Sequence, residues 1–209
     1  MSWITDDPDF ASRVAQSGAL PTIALGLMDR GTLDTKLGSL PERMNGRPFA
    51  VNVITLSENP HREGQLAWIE SIRPRFAVVA AGEPSHASQL KSKGIEPIYI
   101  APSEDLLKLA LELGIQYIIL EGSESGGHVG IHSTMTLGQT CLSLRDKYAK
   151  LFSKARIILA GGIFDRRTAF MAAMVGADAI QMGTCYLSCK EIVESGALSE
   201  LYQRVVIDA

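Results

Sequence analysis

The segment Ile158–Thr184 reads ILAGGIFDRRTAFMAAMVGADAIQMGT and contains a full alternation of apolar and helix-like stretches. The apolar run before Gly161 has the continuous hydrophobic character of a parallel strand that is buried on both faces. A helix-like stretch then covers Arg166–Val175 and is followed by Gly176, and glycine is a common C-cap residue. A second apolar run leads into Gly183. This order predicts a strand–helix–strand unit of a parallel sheet.

The same alternation runs through the rest of the chain, where short apolar runs separate segments with apolar residues at three- and four-residue spacing. The predicted strands are Pro21–Leu25, Phe49–Val53, Phe76–Ala80, Pro97–Ile100, Tyr117–Leu120, Ile157–Ala160 and Ala179–Met182. The predicted helices are Asp9–Ser17, Gln65–Ile72, His86–Lys93, Glu104–Leu113, Leu142–Phe152 and Arg166–Val175.

Two architectures fit such a series of βα units: a doubly wound open sheet and a TIM-type (β/α)₈ barrel. No GxGxxG follows the first predicted strand, so the dinucleotide fingerprint of the doubly wound class is absent from the sequence. Glycines stand at the carboxyl ends of the later strands, where barrels carry their sites. The pattern therefore favours a barrel, although it contains seven strands rather than eight.

Composition and charge restrict the function. The 209 residues suit one domain over 1–209, with 46% hydrophobic and 21% charged residues. The net charge of −3 comes without a Lys/Arg block, which predicts no nucleic-acid partner. The apolar runs are too short to span a bilayer, and no signal peptide is evident. Three cysteines without a CxxC pair favour a reducing, cytoplasmic location.

Two glycine-containing turns predict a phosphate site. Gly161–Gly162 follows one predicted strand and precedes a helix, and Gly183–Thr184 follows the next strand, 22 residues after the first turn. Exposed backbone N–H groups and the positive end of a helix dipole both favour a phosphate. The loops after the last two strands of a barrel are its usual phosphate site. The alternative is that these glycines only permit tight turns.

A third feature is EGSESGGHVG, which covers Glu121–Gly130 and places His128 among four glycines just after a predicted strand. Imidazole titrates near neutral pH and serves as a general acid or base. The alternative is a histidine that only caps a loop. His128 and His132 are four residues apart, but HVGIH lacks the glutamate of HExxH. No metal site is therefore predicted.

Taken together, LEGSESGGHVG (Leu120–Gly130) and the segment Ile158–Thr184 resemble the nitronate monooxygenase, or 2-nitropropane dioxygenase, family of FMN-dependent barrels. Flavin-dependent enoyl-ACP reductases share that fold and those motifs. The stretch DDPDFASRVAQSGALPTIALGLM (Asp6–Met28) is similar to family members embedded in polyketide or polyunsaturated-fatty-acid synthases. The resemblance extends over nearly the whole chain.

The resemblance implies a set of site residues. His128 would be the catalytic acid or base, and flavin would supply the redox chemistry. The cofactor-binding residues implied are Asn52, Glu121, Ser123, Gly126, Gly127, Gly161, Gly162, Gln181, Gly183 and Thr184. Of these, the turns of the last two strands would hold the FMN phosphate, and Glu121 and Ser123 would lie beside the isoalloxazine ring.

The chain departs from the family pattern at its start. Family members begin with a strand that ends in a Gly-Pro-Met or Ala-Pro-Met turn, and that strand is not found before Met1. We therefore expect a (β/α)₈ barrel that lacks its first strand, in a chain that is a fragment of a longer one. Open strand edges favour self-association, so a homo-oligomer is expected.

The resemblance implies an FMN-dependent oxidation of a small nitroalkane or nitronate with O₂. The main alternative is an enoyl reductase domain of a polyketide or fatty-acid synthase, which needs NAD(P)H and has an acyl carrier protein or neighbouring synthase domains as partners. Two further alternatives are a phosphosugar-type barrel without flavin and a catalytically inactive structural domain.

Overall fold

The protein is built around one parallel sheet. A computed structural model describes residues 6–127 and 130–208. Its seven strands lie in chain order, and each pairs in parallel with the next along the chain. The strands are β1 (Thr22–Ala24), β2 (Ala50–Ile54), β3 (Phe76–Ala80), β4 (Glu96–Ala101), β5 (Tyr117–Glu121), β6 (Arg156–Ala160) and β7 (Ala179–Gln181).

The sheet curls but does not close. Within the described residues, β1 and β7 each pair with one neighbouring strand and not with each other. Side chains from both edge strands, such as Thr22 and Ala179, nevertheless line one cavity of about 410 Å³ together with Ile98 and Ile119 of the central strands. The architecture is therefore a seven-stranded, incomplete TIM-type barrel, which confirms the predicted fold class.

The two faces of the sheet have different surroundings because successive side chains of a strand point to opposite sides. One face packs against the helices in a large apolar cluster that includes Val51, Val79 and Ile118. The other face forms a smaller cluster inside the barrel, with Val78 and Ile119 among its members. Both faces are buried, which is why the strands have continuous apolar sequences.

Helices alternate with the strands on the outside of the sheet. The helices predicted from the sequence agree with the observed ones to within a few residues, except for the one predicted at Leu142–Phe152. The helices are α1 (Pro8–Gln16), α2 (Arg30–Leu37), α3 (Leu40–Met44), α4 (Arg62–Ile72), α5 (Ser85–Ser92), α6 (Glu104–Glu112), α7 (Thr134–Lys147), α8 (Ala149–Phe152), α9 (Arg166–Met174), α10 (Lys190–Glu194) and α11 (Glu200–Ile207).

The predicted start of α7 is wrong by eight residues. The helix begins at Thr134 because Ser133 is its N-cap and its hydroxyl accepts a hydrogen bond of 3.1 Å from the Thr136 N–H. Gly138 lies inside the helix, where a Cβ atom would come within 3.1 Å of the Val175 side chain. This glycine therefore allows close packing against the segment after α9 and does not end the helix.

Helices α2, α3, α10 and α11 were not predicted. The N-caps Asp29 and Ser199, which accept hydrogen bonds from Thr32 and Tyr202, mark the starts of α2 and α11. Helix α11 has no buried residue, and its apolar residues Leu201, Tyr202 and Val205 are exposed. Across the described ranges, no helix combines the length and the apolar character that a membrane crossing requires.

Candidate functional site

The carboxyl ends of the strands gather most of the residues that the resemblance implies. Asn52 lies on β2, Glu121 ends β5 and Gln181 ends β7, while the glycine turns follow β6 and β7 directly. His128, the predicted catalytic residue, lies outside the described residues, so its role stays a prediction.

Glu121 and Gln181 lie in one row across the barrel mouth. Glu121 pairs in register with Ala160, and Ala160 pairs with Gln181. Two strand spacings separate the backbones of the two polar residues, a distance of about 9–10 Å. Both line the same cavity, so a ligand that crosses the small side chain of Ala160 can contact both.

That cavity, which we call the turn cavity, has a volume of about 630 Å³ and lies over the ends of β5, β6 and β7. Among the described residues, the backbone N–H groups of Gly161, Gly162, Ile163 and Gly183 donate no hydrogen bond. Unpaired N–H groups around a concave turn bind anions. The turn cavity is lined by Glu121, Glu124, Ser125, Gly126, Ala160, Gly161, Gly162, Ile163, Phe164, Gln181, Gly183, Thr184, Cys185, Ser188, Val206 and Ile207.

The turn after β6 needs glycine for steric reasons. Gly161 has φ of +109°, and a Cβ atom there would lie 2.6 Å from Thr134 Oγ1 and 2.8 Å from Ser125 Oγ. Gly183 differs, because a Cβ atom there would meet nothing within 4 Å. The protein itself therefore does not require a glycine at 183, whereas a ligand that approaches the backbone closely would.

The N-terminus of the helix after β6 bears on the predicted contribution of its dipole to phosphate binding, which stays a prediction. The N-terminus of α9 is already capped, since the Asp165 carboxylate accepts a hydrogen bond of 2.8 Å from the Thr168 N–H. The same hydrogen bond holds the pKa of Asp165 below its usual value, so its negative charge offsets the positive helix end. An anion would therefore rely on the turn amides before the helix.

Glu124 and Thr134 connect the loop after β5 to the turn after β6, a link that sequence reasoning missed. The Glu124 carboxylate accepts hydrogen bonds from the Thr134 N–H at 2.8 Å and the Thr134 hydroxyl at 3.1 Å. The Thr134 hydroxyl is also 3.0 Å from the carbonyl oxygen of Ala160. Burial raises the pKa of Glu124, but these hydrogen bonds outweigh it and lower the pKa overall. No local motif joins the two residues, which are ten positions apart.

A second cavity of about 370 Å³, the apolar cavity, lies beside the first and shares Glu121 and Gly126 with it. Asn52 lines it, but its amide nitrogen already donates a hydrogen bond of 3.3 Å to the carbonyl of Val78. The apolar cavity is lined by Asn52, Ile54, Leu56, Ala80, Ala81, Gly82, Tyr99, Ile100, Pro102, Leu106, Glu121, Gly126 and Gly127.

Glu121 is the charged group at the junction of the two cavities. The residue is 6% exposed, and it lines both cavities. Burial raises its pKa to about 6 because desolvation disfavours the ionised form. A carboxyl with such a pKa exchanges protons near neutral pH.

The loop after β5 supplies one more polar group and leaves another aside. The Ser125 hydroxyl is buried beside the turn cavity and has no hydrogen-bond partner in the described chain. Ser123 is exposed and lines neither cavity, while its N–H donates to the carbonyl of His132 at 2.8 Å. The predicted place of Ser123 beside a ring system thus has no support in the geometry. Gly126 and Gly127 do line the apolar cavity.

FMN is compatible with this arrangement. The two adjoining cavities have volumes in the usual range for ligand sites. The turns at Gly161–Gly162 and Gly183 offer amides without side chains, as a phosphate requires. The buried Ser125 hydroxyl next to these turns lacks a partner that a bound molecule would supply.

Comparison with known proteins agrees with these features. The nitronate monooxygenase family model matches residues 58–205. A probable nitronate monooxygenase from Staphylococcus saprophyticus is 27% identical, with 95% of this chain and 65% of that protein covered. The chain thus spans slightly less than two thirds of that relative's length.

Solved structures share the fold. A FabK mutant from Thermotoga maritima has a TM-score of 0.86 and 28% identity, covering 100% of this chain and 66% of that one. The enoyl reductase domain of MlnA, from the macrolactin biosynthesis cluster of Bacillus amyloliquefaciens, has a TM-score of 0.73 and 16% identity, covering 98% and 55%. Since the family model covers most of the chain, including the turns after β6 and β7, the chain belongs to the nitronate monooxygenase family.

Proposed function

We propose that this chain forms the cofactor- and substrate-binding part of an FMN-dependent oxidoreductase that oxidises small nitroalkanes or nitronates with O₂. The observation that carries the proposal is the pair of adjoining cavities that meet at Glu121. One offers free turn amides for a phosphate, and the other offers an apolar space for a small substrate.

Each cavity has a distinct task in this proposal. The N–H groups of Gly161, Gly162 and Gly183, with the Thr184 hydroxyl nearby, bind the phosphate of FMN. Gln181 and Glu121 lie along the path between the phosphate turn and the apolar cavity. Bound FMN would supply the electron-accepting chemistry, while these residues position it. Tyr99 donates a hydrogen bond of 2.7 Å to the Gly82 carbonyl and so keeps the wall of the apolar cavity in place.

The likeness in family and fold supports the proposal. The probable nitronate monooxygenase from Staphylococcus saprophyticus aligns with almost the whole chain, and a nitroalkane oxidase from Streptomyces ansochromogenes has the same fold at a TM-score of 0.73. The predicted acid or base His128 follows Gly126 and Gly127 in the sequence, and its part in proton transfer is a hypothesis that mutation can test.

A second candidate is enoyl reduction, which the fold of the MlnA enoyl reductase domain favours. It would require NAD(P)H as the reductant and an acyl substrate on a carrier protein, with neighbouring synthase domains as partners. Anaerobic mixing separates the two functions. Reduction of bound FMN by ethyl nitronate supports the first, and reduction by NADPH supports the second.

Flavin binding itself is tested by titration. We expect the protein to bind FMN more tightly than riboflavin, because only FMN has the phosphate that the turn amides recognise. Equal affinity for both would contradict the assigned phosphate site. Absence of binding to either would reject the flavin proposal and leave a barrel of another chemistry.

A further inference from the structure

One wall of the turn cavity comes from the segment that follows β7. Directly after Gly183 the chain forms a short 3₁₀ helix, Thr184–Ser188. Thr184 and Cys185 line the turn cavity, and so does Val206 of α11. None of the residues of the 3₁₀ helix is fully buried. The position of this wall therefore depends on its contacts with neighbouring elements.

Gln203 joins the 3₁₀ helix to α11. Its side-chain amide nitrogen donates hydrogen bonds to the carbonyl oxygens of Leu187 at 3.0 Å and of Cys189 at 2.7 Å. A glutamine amide has two N–H donors, which match the two acceptors. Since both acceptors are carbonyl oxygens, only the nitrogen end of the amide fits against them. One side chain thus fixes the carboxyl end of the 3₁₀ helix at two points.

Gln203 lies on the face of α11 that is turned toward the turn cavity. Residues three apart on a helix share a face, and Val206, which lines the cavity, is three residues after Gln203. Both side chains are half-buried, whereas Leu201 and Val205 are exposed at 76% and 62%. Gln203 itself does not line the cavity, so it acts through the backbone to which it donates.

A phosphate in the turn cavity would be held by neutral groups. None of the described lining residues is Lys, Arg or His, and two of them, Glu121 and Glu124, are acidic. A hydrogen bond weakens steeply when its donor is misaligned, and an uncharged site has no cation to compensate for this. The affinity therefore depends on the direction of donors such as the Gly183 N–H and the Thr184 hydroxyl. Both belong to the segment that Gln203 holds.

We propose that Gln203 is a positioning residue for phosphate binding in the turn cavity. This inference rests on the proposed function. Through the carbonyls of Leu187 and Cys189, Gln203 keeps Gly183 and Thr184 against the turn cavity, where their N–H and hydroxyl groups bind the phosphate of FMN. The effect is confined to the phosphate end of the ligand, because no residue of this segment lines the apolar cavity.

Paired titrations with FMN and riboflavin test this role, because riboflavin lacks the phosphate. Gln203→Met keeps the length of the side chain and removes both donors, so FMN affinity should fall about tenfold while riboflavin affinity stays within about twofold. Gln203→Glu keeps the shape, also lacks a donor and should show the same selective loss. Arg204→Met is the matched control, since Arg204 is the next residue of α11 but pairs with the exposed Glu200. It should bind both flavins as the original protein does.

A double substitution separates positioning from a general effect on the fold. In Gly183→Ala the phosphate contact is already impaired, so adding Gln203→Met should weaken FMN binding by less than about a further twofold. Full additivity of the two changes would overturn the proposal. An equal loss of FMN and riboflavin affinity in both Gln203 variants would also overturn it, because Gln203 would then only support the fold. Unchanged FMN affinity would do the same.

Inorganic phosphate distinguishes failure of this inference from failure of the proposed function. Without flavin, about 10 mM phosphate should raise the urea midpoint of the original protein and of Arg204→Met, relative to chloride at equal ionic strength, and raise that of Gln203→Met less. If this difference appears but no flavin binds, the inference stands and the flavin proposal fails. If the original protein and Gln203→Met prefer FMN over riboflavin equally, the flavin proposal stands and the inference fails. If neither phosphate nor FMN binds, both fail.

Discussion

The two faces of the sheet differ in the kinds of side chain that they bury. Behind the sheet, Trp68, Leu33 and Leu37 are fully buried in a continuous apolar cluster. In front of it, Glu121 is buried at 6% exposure, and the Ser125 hydroxyl is buried without a hydrogen-bond partner in the described chain. The same strands thus bury apolar side chains on one face and place polar groups beside the cavities on the other. The buried indole N–H of Trp68 also has no hydrogen-bond partner in the described chain, but it lines neither site cavity, whereas a ligand could reach the groups in front.

The largest expected effect lies behind the sheet. Trp68→Ala removes a side chain with 0% exposure and leaves a large cavity next to the β-sheet. We expect the free energy of unfolding, measured in urea, to fall by about 3–5 kcal/mol. FMN affinity of the remaining folded protein should stay unchanged, because the residue does not line either site cavity. A loss below about 1 kcal/mol would contradict the assigned role of this face.

Within the site, Gly161 is needed for the fold, whereas Gly183 is proposed to be needed for ligand binding. Gly161→Ala places a Cβ atom within 2.6 Å of Thr134 at positive φ, so we expect a loss of about 2–4 kcal/mol in unfolding free energy. Gly183→Ala meets no described atom within 4 Å and should change stability by less than about 0.5 kcal/mol.

FMN titration tests the proposed role of Gly183 in phosphate binding. Gly183→Ala should weaken FMN binding about tenfold or more while riboflavin binding stays within about twofold, because the methyl group would cover the amide proposed to bind phosphate. If FMN binding were unchanged, Gly183 would not belong to the phosphate site.

The sequence predicted the helix-facing side of the sheet better than the side that faces the cavities. Continuous apolar runs such as Phe76–Ala80 and Tyr117–Leu120 identify buried parallel strands because burial on both faces leaves no polar position. The glycine turns after β6 and β7 were also predicted, since parallel strands bring their carboxyl ends to one edge. These signals are local, so a single segment of the sequence is enough to predict each strand or turn.

Contacts between distant segments were not predictable in this way. The link from Glu124 to Thr134 depends on how the loop after β5 folds back onto α7. The cap of α9 by Asp165 was not predicted from the sequence. Val206 and Ile207 of α11, a helix that was not predicted, line the turn cavity.

Glu121 should make the front of the sheet sensitive to pH. Its pKa in the folded protein is raised from 4.5 to about 6, so between these values the folded state binds more protons than the unfolded state. The free energy of unfolding therefore falls as pH rises through this window, by roughly 2 kcal/mol in total. Glu121→Gln should remove this decrease and be the more stable protein above pH about 6. Parallel pH curves for the two proteins would contradict the assignment.

The smallest expected effect comes from two Ser→Ala substitutions, which should change the unfolding free energy in opposite directions. Ser125→Ala removes a buried hydroxyl without a partner in the described chain, so the unfolding free energy should stay the same or rise by up to about 1 kcal/mol. Ser133→Ala removes the N-cap of α7, whose hydroxyl accepts from the Thr136 N–H, and should cost about 1 kcal/mol. Both are measured by urea unfolding of the protein without flavin. Equal losses at both serines would mean that the Ser125 hydroxyl supports the fold as the Ser133 cap does, and the assignment of Ser125 to the ligand site would fail.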